Sequence, residues 1–212
     1  EGPIPNAYIP IIKTEKNNQQ VVTILDGTAV INNGKMIGKL TNEETIGLNV
    51  ILNNATGGYG IVTINGEKIS IEINNSETEI QPTLNGGNLK AHIKVQINST
   101  LADNTSTENI DEEWIKNVEK KMSEQAEHNL KKVLNKLQKD IKTDITGIGL
   151  EVIKKYPNEW KKVQDRWNEV FSNATFTIEV ETDIIHQGLI HKNREKYQDR
   201  PRNNPYKFKR EK

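Results

Sequence analysis

No cysteine occurs in the 212 residues, and that single absence excludes a disulfide framework, a thiolate zinc site and a cysteine nucleophile together. Long apolar runs are missing too: nowhere do 18 apolar residues stand in a row, so no segment reads as a membrane-spanning helix. There is no charge of one sign to spare, since 29 Lys and Arg meet 29 Asp and Glu. No global field therefore draws the whole molecule to nucleic acid or to anionic lipid. The chain begins at Glu1 with neither an initiator Met nor a signal-peptide apolar segment, and it reads as a processed or truncated piece.

What is present is unevenly placed. From Leu189 onward nine Lys and Arg stand against three Asp and Glu, a net of +6, which leaves −6 on the rest. Residues 1 to 19, with three prolines and a polar run, read as an extended lead-in. Val21 to Leu25 and Thr28 to Ile31 read as β-branched strands, and Asn33-Gly34 marks a hairpin because both residues tolerate positive φ. Thr41 and Glu44 have the spacing of a capping box, opening a short helix that turns Ile46, Val50 and Ile51 inward.

Four strand-like runs follow: Tyr59 to Ile64, Lys68 to Ile73, Glu79 to Leu84 and Leu89 to Ile97. Asn65-Gly66, Asn74-Asn75-Ser76 and Asn85-Gly86-Gly87 serve as reversals between them. Alternation such as Ile69, Ile71 and Ile73 against Ser70 and Glu72 gives one dry face and one wet one, the pattern of an antiparallel meander needing a cover.

After a polar linker from Asn98 to Asn109, a helix from about Asp111 to Ile141 supplies the cover. Its apolar positions run from Ile115 to Ile141 at a mean spacing of about 3.7 residues, which suits contact with a sheet better than a supercoil. Glu112 with Lys116 and Glu127 with Lys131 form i,i+4 pairs on its outer side. Gly147 and Gly149 then separate it from a short helix, and Pro157 opens a third whose stripe is Trp160, Val163, Trp167, Val170 and Phe171. Phe176, Ile178 and Val180 return as a strand able to close the meander, and the basic tail beyond frays.

Reactive chemistry finds little footing in this pattern. His92, His128, His186 and His191 show no zinc-site spacing and no nucleophile signature. Asp140 and Asp144 are too few to cage a hard cation. The glycine clusters at 85–88 and 147–149 have neither a following Lys-Ser/Thr nor a strand-to-helix GxGxxG, so they read as a turn and a helix break. Trp160 and Trp167 share the third helix's stripe and read as core. The sequence leads us to expect no catalytic residue, no cofactor and no metal.

One ordered set of residues is more specific. Asp144, Gly147, Gly149, Lys155-Tyr156-Pro157, Trp160, Trp167, Phe171, the strand that follows and Gly188 come in a fixed sequence of break, helices and strand. Upstream stand Gly27-Thr28-Ala29-Val30, Gly38, Leu40, Glu44 and Gly47-Leu48. Together they resemble the Ger(x)C family, the lipoprotein C subunits of bacterial spore germinant receptors, over most of residues 20 to 190. The resemblance implies a non-enzymatic docking body on the outer face of the inner spore membrane, tethered through an N-terminal lipid anchor outside this sequence. It also implies two integral-membrane partners, the A and B subunits, and no small-molecule ligand, while the balanced charge leads us to expect no nucleic-acid partner.

The fold class expected is α+β: an antiparallel meander covered by one long and two shorter helices, preceded by a small hairpin-plus-helix unit. The expected division is 1–56 for that unit, 57–192 for the C-terminal domain and 193–212 for a basic, disordered tail. Two other functions fit the residues less well. A secreted enzyme acting on cell-wall or carbohydrate polymers needs two carboxylates across a cleft, and a nucleic-acid-binding module would have to work through the tail alone.

Overall fold

The computed structural model describes residues 7–17, 20–55, 57–103 and 110–185. Its first strand, β1 (Ala7–Asn17), occupies what the sequence suggested was an extended lead-in. It pairs antiparallel with β2 (Gln20–Asn32) from Ala7↔Ile31 to Asn17↔Gln20. Pro10 does not prevent this, because β1 is an edge strand and an edge tolerates one missing donor. β2 is one strand rather than two. Asp26 and Gly27 lie opposite the single residue Ile11, and this bulge needs Gly27 at φ +101°, where an added Cβ would run into the Leu40 carbonyl oxygen. β3 (Lys35–Leu40) completes the three-stranded sheet through the Asn33-Gly34 turn, both residues at positive φ as the sequence requires.

Helix α1 (Asn42–Ile51) opens with the expected capping box. The Glu44 amide donates to Thr41 Oγ1 at 3.3 Å, and the Thr41 amide donates to Glu44 Oε2 at 2.8 Å. Its buried face differs from expectation, since Ile46 is exposed while Gly47, Leu48, Val50 and Ile51 are buried. The reason is a close helix crossing: a Cβ on Gly47 would stand 3.0 Å from the Asn129 carbonyl oxygen, so only a glycine lets α1 approach that backbone.

The second sheet has the order β4 (Tyr59–Ile64), β5 (Glu67–Asn85), β6 (Asn88–Asp103) and β7 (Thr175–Ile185). Asn74-Asn75-Ser76 does not reverse the chain. β5 runs 19 residues through it, with a bulge between Ile73 and Asn75, because a long β6 offers partners along the whole length. Part of the polar stretch after Asn98 accordingly continues β6, with Thr100 paired to Glu72 and to Ile185.

β4, β5 and β6 are antiparallel as read, but β7 joins β6 in parallel, from Lys90↔Thr175 to Thr100↔Ile185. A parallel neighbour needs a long crossover, and the helices between β6 and β7 supply one. These are α2 (Glu112–Asn135), prolonged by a π-helical turn (Lys136–Ile141), α3 (Ile148–Lys155), α4 (Pro157–Val163) and α5 (Trp167–Ser172). The third helix expected from Pro157 is broken into α4 and α5 by a 3₁₀ turn at Gln164–Arg166.

Two apolar clusters hold the layers. The larger joins Val30, Leu40, Leu48 and Ile51 of the N-terminal elements to Ile93 and Val95 of β6, to Leu130, Val133 and Leu137, and to Phe171. The smaller gathers Val62, Ile69 and Ile71 of β4 and β5 under Trp114, Val118 and Met122 of α2. Each side chain of this size removed from water contributes about 1.5–3 kcal/mol. Side chains meet the edges of the second sheet at three points. Asn53 bonds both backbone groups of Thr78, at 2.9 and 2.6 Å, Lys155 Nζ donates to the Pro82 carbonyl, and the Ile184 amide donates to Glu119 Oε1.

Candidate functional site

Asp144, Gly147, Gly149, Pro157, Trp160, Trp167 and Phe171 cluster behind the end of α2. The π-helical turn ends at Lys142 in the left-handed region, φ +56°, and delivers Asp144 into the gap between α3 and α5. Its Oδ1 accepts from the Thr146 amide at 2.8 Å and from Thr146 Oγ1 at 2.7 Å. Its Oδ2 accepts from the Gly149 amide at 2.8 Å and from the Trp167 indole Nε1 at 3.0 Å. Gly147, φ +80°, turns the chain into α3, and a Cβ on Gly149 would lie 3.0 Å from Trp167 Nε1 and 3.1 Å from Asp144 Oδ2. Glycine at 149 is thus what lets one carboxylate hold a helix start and an indole at once.

Aromatic contacts extend the knot. Trp167 meets Trp160 with ring centroids 4.8 Å apart and planes tilted by 54°. Pro157 occupies the first turn of α4 and so sets where Trp160 falls. Phe171, fully buried, meets Phe176 of β7 at 5.8 Å, while Gln138 Nε2 donates to the carbonyls of Phe171 and Ala174 at 2.9 and 2.8 Å. Gly27 and Gly38 lie apart, in the first sheet. There a Cβ on Gly38 would stand 2.7 Å from Ile141 Cγ1, so the absent side chain lets β3 sit on the π-helical turn. Gly188 lies outside the described residues.

A carboxylate has about four acceptor positions, and Asp144 directs them at four donors of its own chain. Asp140, its neighbour in sequence, is committed elsewhere, in an ion pair with Lys136 at 2.9 Å. His92 contacts Thr177 Oγ1 at 3.0 Å and Glu179 Oε2 at 3.2 Å on the outer sheet face, and His128 is exposed on α2. His186, His191 and the basic tail fall outside the described residues. Among the described residues no three His, Asp or Glu side chains are grouped to hold a metal, and no helix is long and apolar enough to cross a membrane.

Sequence reasoning missed one concavity, a depression of about 390 Å³ lined by Asp26, Lys39, Thr41, Asn42, Glu43 and Lys132. It contains two carboxylates, but each is matched by lysine. Lys39 and then Lys13 beside Asp26 hold its carboxyl below the usual range, and Lys132 does the same for Glu43. Neither is poised to donate a proton near neutral pH. The capping box marked Glu43's position in sequence, yet nothing local announced Lys132, 89 residues away.

Residues 26–188 match the family model described as spore germination B3/GerAC like, C-terminal. The chain belongs to this family. Among curated relatives from Bacillus subtilis (strain 168), spore germination protein B3 is 29% identical over 191 residues, covering 88% of this chain and 51% of that protein. Spore germination protein YndF is 32% identical over 171 residues, with 77% of this chain and 42% of that one covered. The crystal structure of the GerBC protein aligns with a TM-score of 0.74 at 26% identity, over 85% of this chain and 57% of that one. The chain thus spans about half the length of the curated relatives it matches. The family segment opens at Asp26, at the β2 bulge, and takes in the whole Asp144 knot; β1 precedes it.

Proposed function

We propose that this protein acts in spore germination as the C-type subunit of a nutrient germinant receptor, a non-enzymatic body that docks other subunits. The observation carrying this reading is the family match across residues 26–188 together with the shared fold of the GerBC protein. The names of the relatives support the germination role. In the finer reading, a lipid anchor outside this sequence tethers the body to the outer face of the inner spore membrane. There it meets integral-membrane A and B subunits.

The internal commitments of Asp144, Asp140, Asp26 and Glu43 support a docking role over the carbohydrate-active enzyme, because no pair of these carboxylates is left as an acid and a base facing a shared cleft. Gly27, Gly38, Asp144, Gly147, Gly149, Pro157, Trp160, Trp167, Phe171 and Gly188 are, in this reading, structural or interface positions rather than ligand-binding ones. Deleting the encoding gene in a sporulating host without redundant copies should abolish or severely slow germination with at least one nutrient, scored by loss of spore refractility. Wild-type germination with every nutrient tested would overturn the assignment.

A further inference from the structure

Among the described residues, eight of the fourteen exposed large apolar side chains belong to β1, β2 and β3. Ile9 is 53% exposed, Ile12 62%, Val21 65% and Leu25 65%. β3 pairs only with residues 28–32 of β2, so beyond the bulge the β1–β2 ribbon continues as two strands, with residues 12–16, 20–23 and 25 exposed and Ile11 and Ile24 half-buried. An isolated two-stranded ribbon is marginal in water. Because Ile12 and Leu25 are cross-strand partners, they share a face and form one apolar pair. The outer edge of β1 also has no neighbouring strand among the described residues, and no proline beyond Pro10 blunts it.

Two further facts identify what covers this surface. The family-model match starts at Asp26, so β1 and residues 20–25 of β2 lie before it. The relatives carry roughly as much polypeptide again outside the aligned region. We infer that the β1–β2 ribbon is a seam strand pair, whose Ile12–Leu25 face and open β1 edge are covered by the N-terminal half of the full-length protein through an added strand and its apolar side chains. This inference rests on family membership and on the geometry of the ribbon, not on the germination role, so either stands if the other fails.

The absence of cysteine makes the test direct. Ile12→Cys and Leu25→Cys are introduced singly into this 212-residue chain and into the longer polypeptide encoded with its upstream sequence, and thiol labelling rates are compared. Leu150→Cys, at an exposed position on α3, serves as control. The expected result is labelling at 12 and 25 slowed by about tenfold or more in the longer polypeptide, with the control unchanged. Hydrogen exchange on the unsubstituted proteins should show the matching protection of β1 amides. Equal labelling rates and equal exchange in the two lengths overturn the inference, as does protection in the 212-residue chain that grows with its concentration, which would assign the face to a second copy.

Discussion

The two sheets of this protein differ in how many side chains of the same chain meet their edges and apolar faces. In the four-stranded sheet, β5 extends past its short neighbour β4, yet Asn53 takes the place of the missing strand at Thr78, and Glu119 caps β7 at Ile184. Its apolar faces are roofed by α2, α3 and α5. In the three-stranded sheet the β1 edge has no strand beside it among the described residues, and Ile9, Ile12, Val21 and Leu25 are exposed. Side chains of the same chain meet the β5 and β7 edges of the four-stranded sheet, whereas its outer strand β4, like β1, has no further strand beside it among the described residues.

The contrast is tested most strongly at Phe171, which is fully buried. Phe171→Ala should cost about 3–5 kcal/mol, read as a large drop in denaturation midpoint, whereas Leu25→Ala in the same chain should stay within about 0.5 kcal/mol of the parent. Similar losses at the two positions would erase the distinction between a finished core and an open seam.

Next in size, Asp144→Ala leaves the Gly149 amide and the Trp167 indole without their acceptor. A loss of about 2–4 kcal/mol is expected, with a shift in tryptophan emission as the Trp160–Trp167 contact loosens. Unchanged emission and stability would show that the knot holds without its carboxylate. Asn53→Ala removes the substitute strand at Thr78 and should cost about 1 kcal/mol while raising concentration-dependent association in light scattering. No added association would mean that the β5 edge is guarded by something other than Asn53.

The smallest effect is electrostatic. Asp26, Glu43 and Glu179 have carboxyls held below their ordinary range, chiefly by hydrogen bonds from Lys39, Lys132 and Lys94. Their contribution is present above the unfolded carboxylate pKa and is lost as pH falls through the lower folded values. All three are solvated, so the midpoint should fall only slightly on acidification from these groups. Asp26→Asn should flatten that slope; a slope left unaltered would show that its lysine contacts add nothing to stability.

Local signals were legible wherever the deciding atoms lie within a few residues. The capping box at Thr41 and Glu44, the Asn33-Gly34 and Asn65-Gly66 turns, and the ion pairs Glu112–Lys116 and Glu127–Lys131 form as the spacing requires. The stripe from Ile115 to Ile141 does face the sheets. What escaped was non-local. Asn74-Asn75-Ser76 has turn composition but became a bulge, because β6 could pair on both sides of it. Lys132 joined Glu43, and Trp167 joined Asp144 across 23 residues, through contacts that no window of sequence contains.

By itself the sequence determined the side-chain alternation within strands, the Asn33-Gly34 and Asn65-Gly66 turns, the start of α1 and the long amphipathic stripe, because each depends on backbone preference and side-chain period over a few residues. Only the tertiary structure decided that β7 enters parallel to β6, that Gly149 admits an indole to the Asp144 carboxylate, and that the β1–β2 ribbon is left uncovered. Those outcomes depend on which distant surfaces meet, and on the space and hydrogen-bonding groups they leave, quantities set by the assembled chain and not by any local stretch of it.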